Sequence, residues 1–255
     1  MKIYLAGGSA SKQYREILKR TGCKYLLQTF YDLRDMKHED IIDMLKIPKE
    51  FLLDSGAFTF MNSGVKVDWK QYIDDYCDFI NKYDIKLFFE LDLYVLPEIG
   101  IDNTVKIREY IEQRTGKKSI PVFHACMGLK MYRQLCKDYD YIAIGASGIT
   151  DECKWVKNKE LLKNIVGIAK SYGTKVHGLG YQRIDNLNDN KIGFYSVDST
   201  SWLGSRFNSK YVLRNGILQK VKGTKDGQRM KNYLQIDEIN ARVFRKLQDL
   251  KDLEE

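Results

Sequence analysis

Eight short apolar runs recur along this chain: 2-KIYLAGG-8, 24-KYLLQTF-30, 51-FLLDSGAF-58, 85-IKLFFELDLY-94, 119-SIPVFHACMG-128, 141-YIAIGAS-147, 175-KVHGLGY-181 and 193-GFYSVDS-199. They are rich in Ile, Val, Leu, Phe and Tyr, and most lack the strict alternation of a half-solvated strand. A strand covered on both faces reads this way. Amphipathic stretches separate them. In 68-DWKQYIDDYCDFINKYD-84 the residues Trp69, Tyr72, Ile73, Tyr76, Phe79 and Ile80 form an i, i+3, i+4 stripe, which marks a core-facing helix. Similar stretches run over 10–20, 103–116, 129–139 and 157–173, with shorter ones over 37–47 and 183–189. Gly116 and Gly173 stand where a helix C-cap glycine belongs.

Eight strands in βα alternation predict an α/β fold, a (β/α)8 TIM-like barrel over about 1–202. A doubly wound open sheet is the alternative topology. The tail breaks the pattern. In 209-SKYVLRNGILQKV-221 apolar residues flank Asn215-Gly216, a two-residue hairpin signal, and 236–255 reads as a final amphipathic helix. With no linker, repeat or low-complexity segment, one domain over 1–255 is expected, its hairpin and C-terminal helix lying in about 203–255.

Composition narrows the setting. No apolar run is long enough for a bilayer-spanning helix, and the N-terminus lacks the pattern of a secretory signal. Five dispersed cysteines with no CxxC pair suit free thiols in a reducing compartment. A soluble, cytoplasmic protein without membrane association is expected. The net charge is +8. Within 201–235, eight basic residues (Arg206, Lys210, Arg214, Lys220, Lys222, Lys225, Arg229 and Lys231) are opposed only by Asp226. Concentrated positive charge suits a phosphate backbone, although a solvated lysine-rich loop would read the same way. Trp202, Phe207 and Tyr211 could stack on exposed bases or equally pack inside.

In a parallel barrel the functional groups project from the C-terminal strand ends. Those ends carry Asp54, Asp92 and Asp198, His124 and His177, and small residues in 145-GASG-148 and 177-HGLG-180. Each has a plainer reading. Asp54 before Ser55-Gly56 suits a turn, Asp92 and Asp198 suit helix caps, the histidines suit a satisfied polar core, and the glycines suit tight turns. Taken together they suit two chemistries. One is metal-assisted hydrolysis on Asp and His ligands, although no HxH or HExxH spacing occurs. The other pairs a carboxylate nucleophile with a second carboxylate that carries a proton. Like charges in one pocket raise one of the two pKa values, leaving an acid beside a base.

The order DSGAF, ELD, IGASG, HGLG and SVDS resembles the tRNA-guanine transglycosylases, (β/α)8 enzymes that exchange guanine for a 7-deazaguanine base. It is most similar to their compact phage-type branch acting on DNA, the deazaguanine DNA transglycosylases, which would place this chain in a host cell's cytoplasm if it is phage-encoded. The likeness covers about residues 1–202. It implies that Asp198 is the nucleophile attacking C1′ of the sugar and Asp54 the proton-transfer group. Asp92 would accept hydrogen bonds from the guanine edge, with Ser55 and Gly56 beside it. The segment Gly145, Ala146, Ser147 and Gly148 would hold the base carbonyl, and His177, Gly178, Leu179 and Gly180 would form the pocket floor. His124 stands where the tRNA enzymes have glutamine-glycine, and is a base contact by position.

One departure is large. The tRNA enzymes carry a zinc site of clustered cysteines and a histidine after the nucleophile, and here no Cys or His follows Asp198. The resemblance therefore implies no zinc subdomain and no cofactor. The expected partners are DNA, with its guanosine flipped out or single-stranded, and a free 7-deazaguanine base; protein partners are not indicated. Base exchange into tRNA, a catalytically silent nucleic-acid-binding barrel and a metal-dependent hydrolase are the rival functions.

Overall fold

The computed structural model describes residues 1–57, 59–60, 67–94, 96, 99–145, 158–181, 183–222 and 232–253. Eight parallel strands form one sheet: β1 (Lys2–Ala6), β2 (Tyr25–Thr29), β3 (Glu50–Asp54), β4 (Leu87–Phe88), β5 (Val122–Phe123), β6 (Tyr141–Gly145), β7 (Lys175–Leu179) and β8 (Ser196–Ser199). Their order is β4-β3-β2-β1-β8-β7-β6-β5. The two edges meet through a parallel bridge between Phe89 and Ile120. There the Ile120 N–H donates to Phe88 O at 2.8 Å and the Glu90 N–H donates to Ile120 O at 3.1 Å. The sheet curls into a TIM-like barrel, the first of the two topologies considered.

Helices follow the strands as the periodicity predicts. They are α1 (Lys12–Thr21), α2 (Phe30–Leu33), α3 (His38–Leu45), α4 (Trp69–Lys82), α5 (Gly100–Thr115), α6 (Gly128–Asp138), α7 (Lys159–Ser171) and α8 (Ile184–Asp189). The stripe on α4 is core: Tyr72, Ile73, Tyr76, Phe79 and Ile80 are buried. Gly116 caps α5 in the left-handed conformation, and Gly173 takes a φ of 78° just after α7.

The runs hid a period of two. Ile3, Leu5, Leu26, Leu53, Phe88, Phe123, Ile142, Ile144, Val176 and Val197 face outward into one buried cluster with the helices. Tyr4, Ala6, Tyr25, Leu27, Leu52, Phe89, Ile120, Val122 and Ala143 face inward into a second. Successive side chains on a strand point to opposite faces, and here both faces are apolar. That is why polarity alone showed no alternation.

After β8 a 3-10 segment (Ser201–Phe207) leads into the hairpin β9 (Ser209–Arg214) and β10 (Ile217–Lys222). Asn215 and Gly216 have φ values of 50° and 77°, the left-handed pair that a type I′ turn needs. Trp202 is fully buried and its Nε1–H donates to Ala6 O at 2.9 Å. Tyr211 is 4% exposed and packs edge-on to Phe244. Neither is available to stack on a base, because their apolar area stabilises the interior instead.

The last helix, α9 (Tyr233–Asp252), lies against β1 and α1 with Ala241, Phe244 and Leu247 wholly buried. Gln248 donates to Ile3 O at 2.7 Å, and buried Asp237 accepts from Tyr14 and Ser205. Both edges of the hairpin are bracketed by asparagine side chains. Asn240 accepts from the Tyr211 N–H and donates to Ser209 O, and Asn188 accepts from the Leu218 N–H and donates to Leu218 O. Each asparagine supplies the donor and acceptor that a neighbouring strand would.

Asn240 is fully buried, so Asn240→Ala leaves a backbone donor and acceptor unpaired. A loss of about 1–3 kcal/mol is expected on that ground, measured as the urea unfolding free energy of the two proteins.

Candidate active site

The inward series continues past the apolar layers into polar groups at the C-terminal strand ends. On β3 it runs Leu52, Asp54. After β5 it reaches His124, and on β6 it ends at Gly145. On β7 and β8 it gives His177 and the pair Ser196, Asp198. Asp54, His124, His177 and Asp198 thus converge because each lies an even number of residues from an inward apolar or polar neighbour.

Asp198 is a buried carboxylate on β8, its side chain 10% exposed. Oδ1 accepts the Gly180 N–H at 2.6 Å and meets His177 Nε2 at 3.2 Å. The other ring nitrogen of His177, Nδ1, meets Ser196 Oγ at 2.6 Å, and that hydroxyl meets the Tyr141 hydroxyl at 2.5 Å. His177 is wholly buried, with Tyr4 and Phe89 against its ring. With both nitrogens engaged by the protein, it serves Asp198 and presents no nitrogen to a pocket floor. Gly178 and Leu179 complete β7 between these groups, and a Cβ at Gly178 would lie 2.9 Å from the Phe194 ring.

Asp54 ends β3. Burial pushes its carboxyl up to about 7, helped by the negative charges of Asp92 and Asp198, while the backbone N–H groups of Gly56 and Ser55 pull the other way. The three carboxylates therefore share one electrostatic environment. The turn that follows is tight. Gly56 has φ +75°, and a Cβ there would lie 2.6 Å from Tyr31 Cβ, so no other residue fits without strain. Buried Ser55 accepts the Tyr72 hydroxyl at its carbonyl, 2.6 Å away.

Asp92 is held by His124, whose Nε2 lies 3.1 Å from Asp92 Oδ2. The Tyr94 ring lies over His124 at 4.1 Å between centroids. His124 is 1% exposed, and its Nδ1 has no partner among the described residues. The close approach of His124 explains Gly145, where a Cβ would fall 2.2 Å from His124 Cε1. Any side chain at 145 would push the imidazole off Asp92.

Sequence reasoning left out Glu90, Tyr141, Ser196 and Tyr94. Glu90 points outward to Arg108 on α5 at 3.2 Å and accepts the Val122 N–H. Burial pushes it up to about 7 despite the Arg108 charge. Ser196 was legible, since two residues before Asp198 on a strand means the same face. Tyr141 read as one more apolar strand residue.

Arg206 is exposed and lines a cavity of about 440 Å³ with Gly7, Gly8, Gln28, Asp32 and Thr200 at the C-terminal ends of β1 and β8. Lys210 and Arg214 are exposed on one face of the hairpin, Lys220 on the other by register opposite Tyr211. The turn after Arg214 lies beside Leu250 near the end of α9, so Arg214 is remote from the carboxylates. Ala146, Ser147, Gly148, Lys225, Arg229 and Lys231, and the Lys222 side chain, lie outside the described residues. Among the described residues no group of three or more His, Cys, Asp or Glu is placed to hold a metal ion, and no helix is long and apolar enough to cross a membrane.

No protein-family model matches the chain, and no curated protein matches it. The fold and the residues of the site are what define it: an α/β barrel with three acidic side chains gathered at its C-terminal mouth.

The raised carboxyls make stability depend on pH in a definite direction. An unfolded carboxyl titrates near 4, so from about pH 4 to 7 the folded state binds more protons through Asp54 and Glu90. That contribution is fully present below about 4 and is lost as pH rises through about 7. Asp54→Asn should narrow the difference between urea midpoints at pH 5 and pH 8, and should be the more stable protein at pH 8.

Proposed function

We propose that this chain is a base-exchange glycosyltransferase that replaces guanine in DNA with a 7-deazaguanine such as 7-cyano-7-deazaguanine. The observation that carries the reading is the gathering of Asp54, Asp92 and Asp198 at one barrel mouth, where burial first and the two neighbouring negative charges second push the Asp54 carboxyl up to about 7. This is the arrangement that double displacement at a sugar carbon requires: a nucleophile, a proton carrier and a group that reads the base.

In the first half-reaction an Asp198 oxygen forms a bond to C1′ while the C1′–N9 bond breaks. The electron pair passes to N9, and protonated Asp54 gives its proton to the departing guanine. In the second, the incoming base loses its N9 proton to Asp54. Its nitrogen attacks C1′, and the bond to Asp198 breaks with the pair returning to the carboxylate. The order of motifs supports the same assignment of roles. Asp92, fixed by His124, accepts donors from the guanine edge. The target nucleotide must leave the stack to reach a carboxylate inside a barrel mouth. Arg206 at that mouth and Lys210 beyond it would hold phosphates on one side.

Asp198→Ala should abolish incorporation of labelled base into DNA while binding, read by a mobility shift, stays within about three-fold. Exchange that persists removes Asp198 from the role. Asp92→Ala should lose preference for guanine-like bases over adenine in the same assay. Competition between duplex DNA and tRNA for one label tests the substrate, and preferential labelling of tRNA would overturn the choice of DNA.

A further inference from the structure

We infer that His177 and the Gly180 N–H form a two-donor clamp on Oδ1 of Asp198, so that Oδ2 is the oxygen that bonds to the sugar. The inference rests on the base-exchange reading and adds a positioning residue to it.

Both donors fall on the same atom: Gly180 N at 2.6 Å and His177 Nε2 at 3.2 Å from Oδ1. Oδ2 has no hydrogen-bond partner among the described residues, on a side chain that is 10% exposed. A carboxylate accepts and cannot donate, so with Asp198 ionised the Nε2 proton points at Oδ1 whether or not Nδ1 is also protonated. The ring cannot turn away. Ser196 Oγ holds Nδ1 at 2.6 Å, Tyr141 holds Ser196 at 2.5 Å, and Tyr4 and Phe89 press on the ring. Ser196 and Asp198 share the inward face of β8, so the strand itself sets the spacing at which one imidazole bridges them.

The chemical consequence lies in the ester. When Oδ2 bonds to C1′, Oδ1 becomes the carbonyl oxygen and still faces two fixed donors. When the incoming nitrogen displaces the carboxylate, the pair returns to Oδ2 and the charge delocalises onto Oδ1, where those donors meet it. Preorganised donors of this kind act on the charge-separated state and cost no reorganisation. The clamp therefore speeds breakdown of the covalent intermediate and leaves DNA binding alone.

The test compares wild type with His177→Leu, His177→Gln and Ser196→Ala by rapid quench on a guanosine-containing oligonucleotide with 7-cyano-7-deazaguanine. Removing one such donor costs on the order of 10² in rate. His177→Leu should lose about that in kcat, with the covalent adduct accumulating, KM for DNA falling alongside and kcat/KM for DNA within about two-fold. His177→Gln, whose amide can donate to Oδ1, should recover at least ten-fold of the loss, and Ser196→Ala should lose about five-fold in kcat. A His177→Leu enzyme within three-fold of wild-type kcat, or one whose loss lies in KM, overturns the clamp. The wild-type protein carries an independent arm. Nitrogen-15 spectra should show a His177 Nε2 proton protected from solvent exchange, and a freely exchanging one overturns the clamp even if the leucine variant does not fold. Wild-type protein that forms no adduct overturns the base-exchange reading instead, while the protected proton still judges the clamp.

Discussion

The site depends on one constraint: each barrel strand has both faces sealed, one by helices and one by the other strands. A carboxylate that continues the inward series has nowhere to go but the mouth. Asp54 after Leu52 and Asp198 after Ser196 are delivered by backbone geometry before any contact between them exists. Their mutual repulsion is poorly screened from below, because the layer beneath, with Leu27, Leu52 and Phe89 in it, is apolar and buried. Low polarity below and like charge beside are the two conditions that raise a carboxyl's pKa. Both are consequences of the ring closing at Phe89 and Ile120.

The polar groups differ in how they are supported. Asp198 receives a backbone donor and an imidazole locked from behind by Ser196 and Tyr141. Asp92 receives an imidazole whose far nitrogen is unpaired among the described residues and whose ring is covered by Tyr94. Among the described residues, Asp54 receives only main-chain donors, those of Ser55 and Gly56 in its own turn. The best-anchored carboxylate is the one assigned to form a covalent bond, and the least-anchored is the one assigned to exchange a proton. That ranking follows what each task demands, since a nucleophile gains from fixed geometry and a proton carrier from a pKa near the working pH.

Much of this was legible in the chain. The eight apolar runs and their intervening stripes gave the barrel, Asn215-Gly216 gave the hairpin, and the strand-end positions of Asp54, Asp92, Asp198, His124 and His177 gave the mouth. What the chain concealed has physical reasons. Apolar residues on both faces erase the polarity signal of period two, so Tyr141 could not be sorted from its outward neighbours and the hydrogen-bonded row behind Asp198 went unread. Glu90 sits one residue out of phase with the inward set, and only the position of Arg108 across a helix explains it. Trp202 and Tyr211 follow Asp198 in a cationic segment, which suggested stacking. Burial against β1 and α9 is a tertiary fact that composition does not encode. The final helix likewise read as a tail, although Gln248 and Asp237 tie it to β1, α1 and the turn after β8.

The asparagine brackets on the hairpin bear on how such a chain behaves in a crowd. An open ribbon normally invites another polypeptide to zip along its rim, and the exposed Ile217 and Val221 would reward that mispairing. Asn188 at Leu218 and Asn240 at Ser209 and Tyr211 fill part of each rim with side-chain amides, which interrupt the hydrogen-bond ladder there. Copies of this chain crowded together are thereby kept separate molecules at those positions.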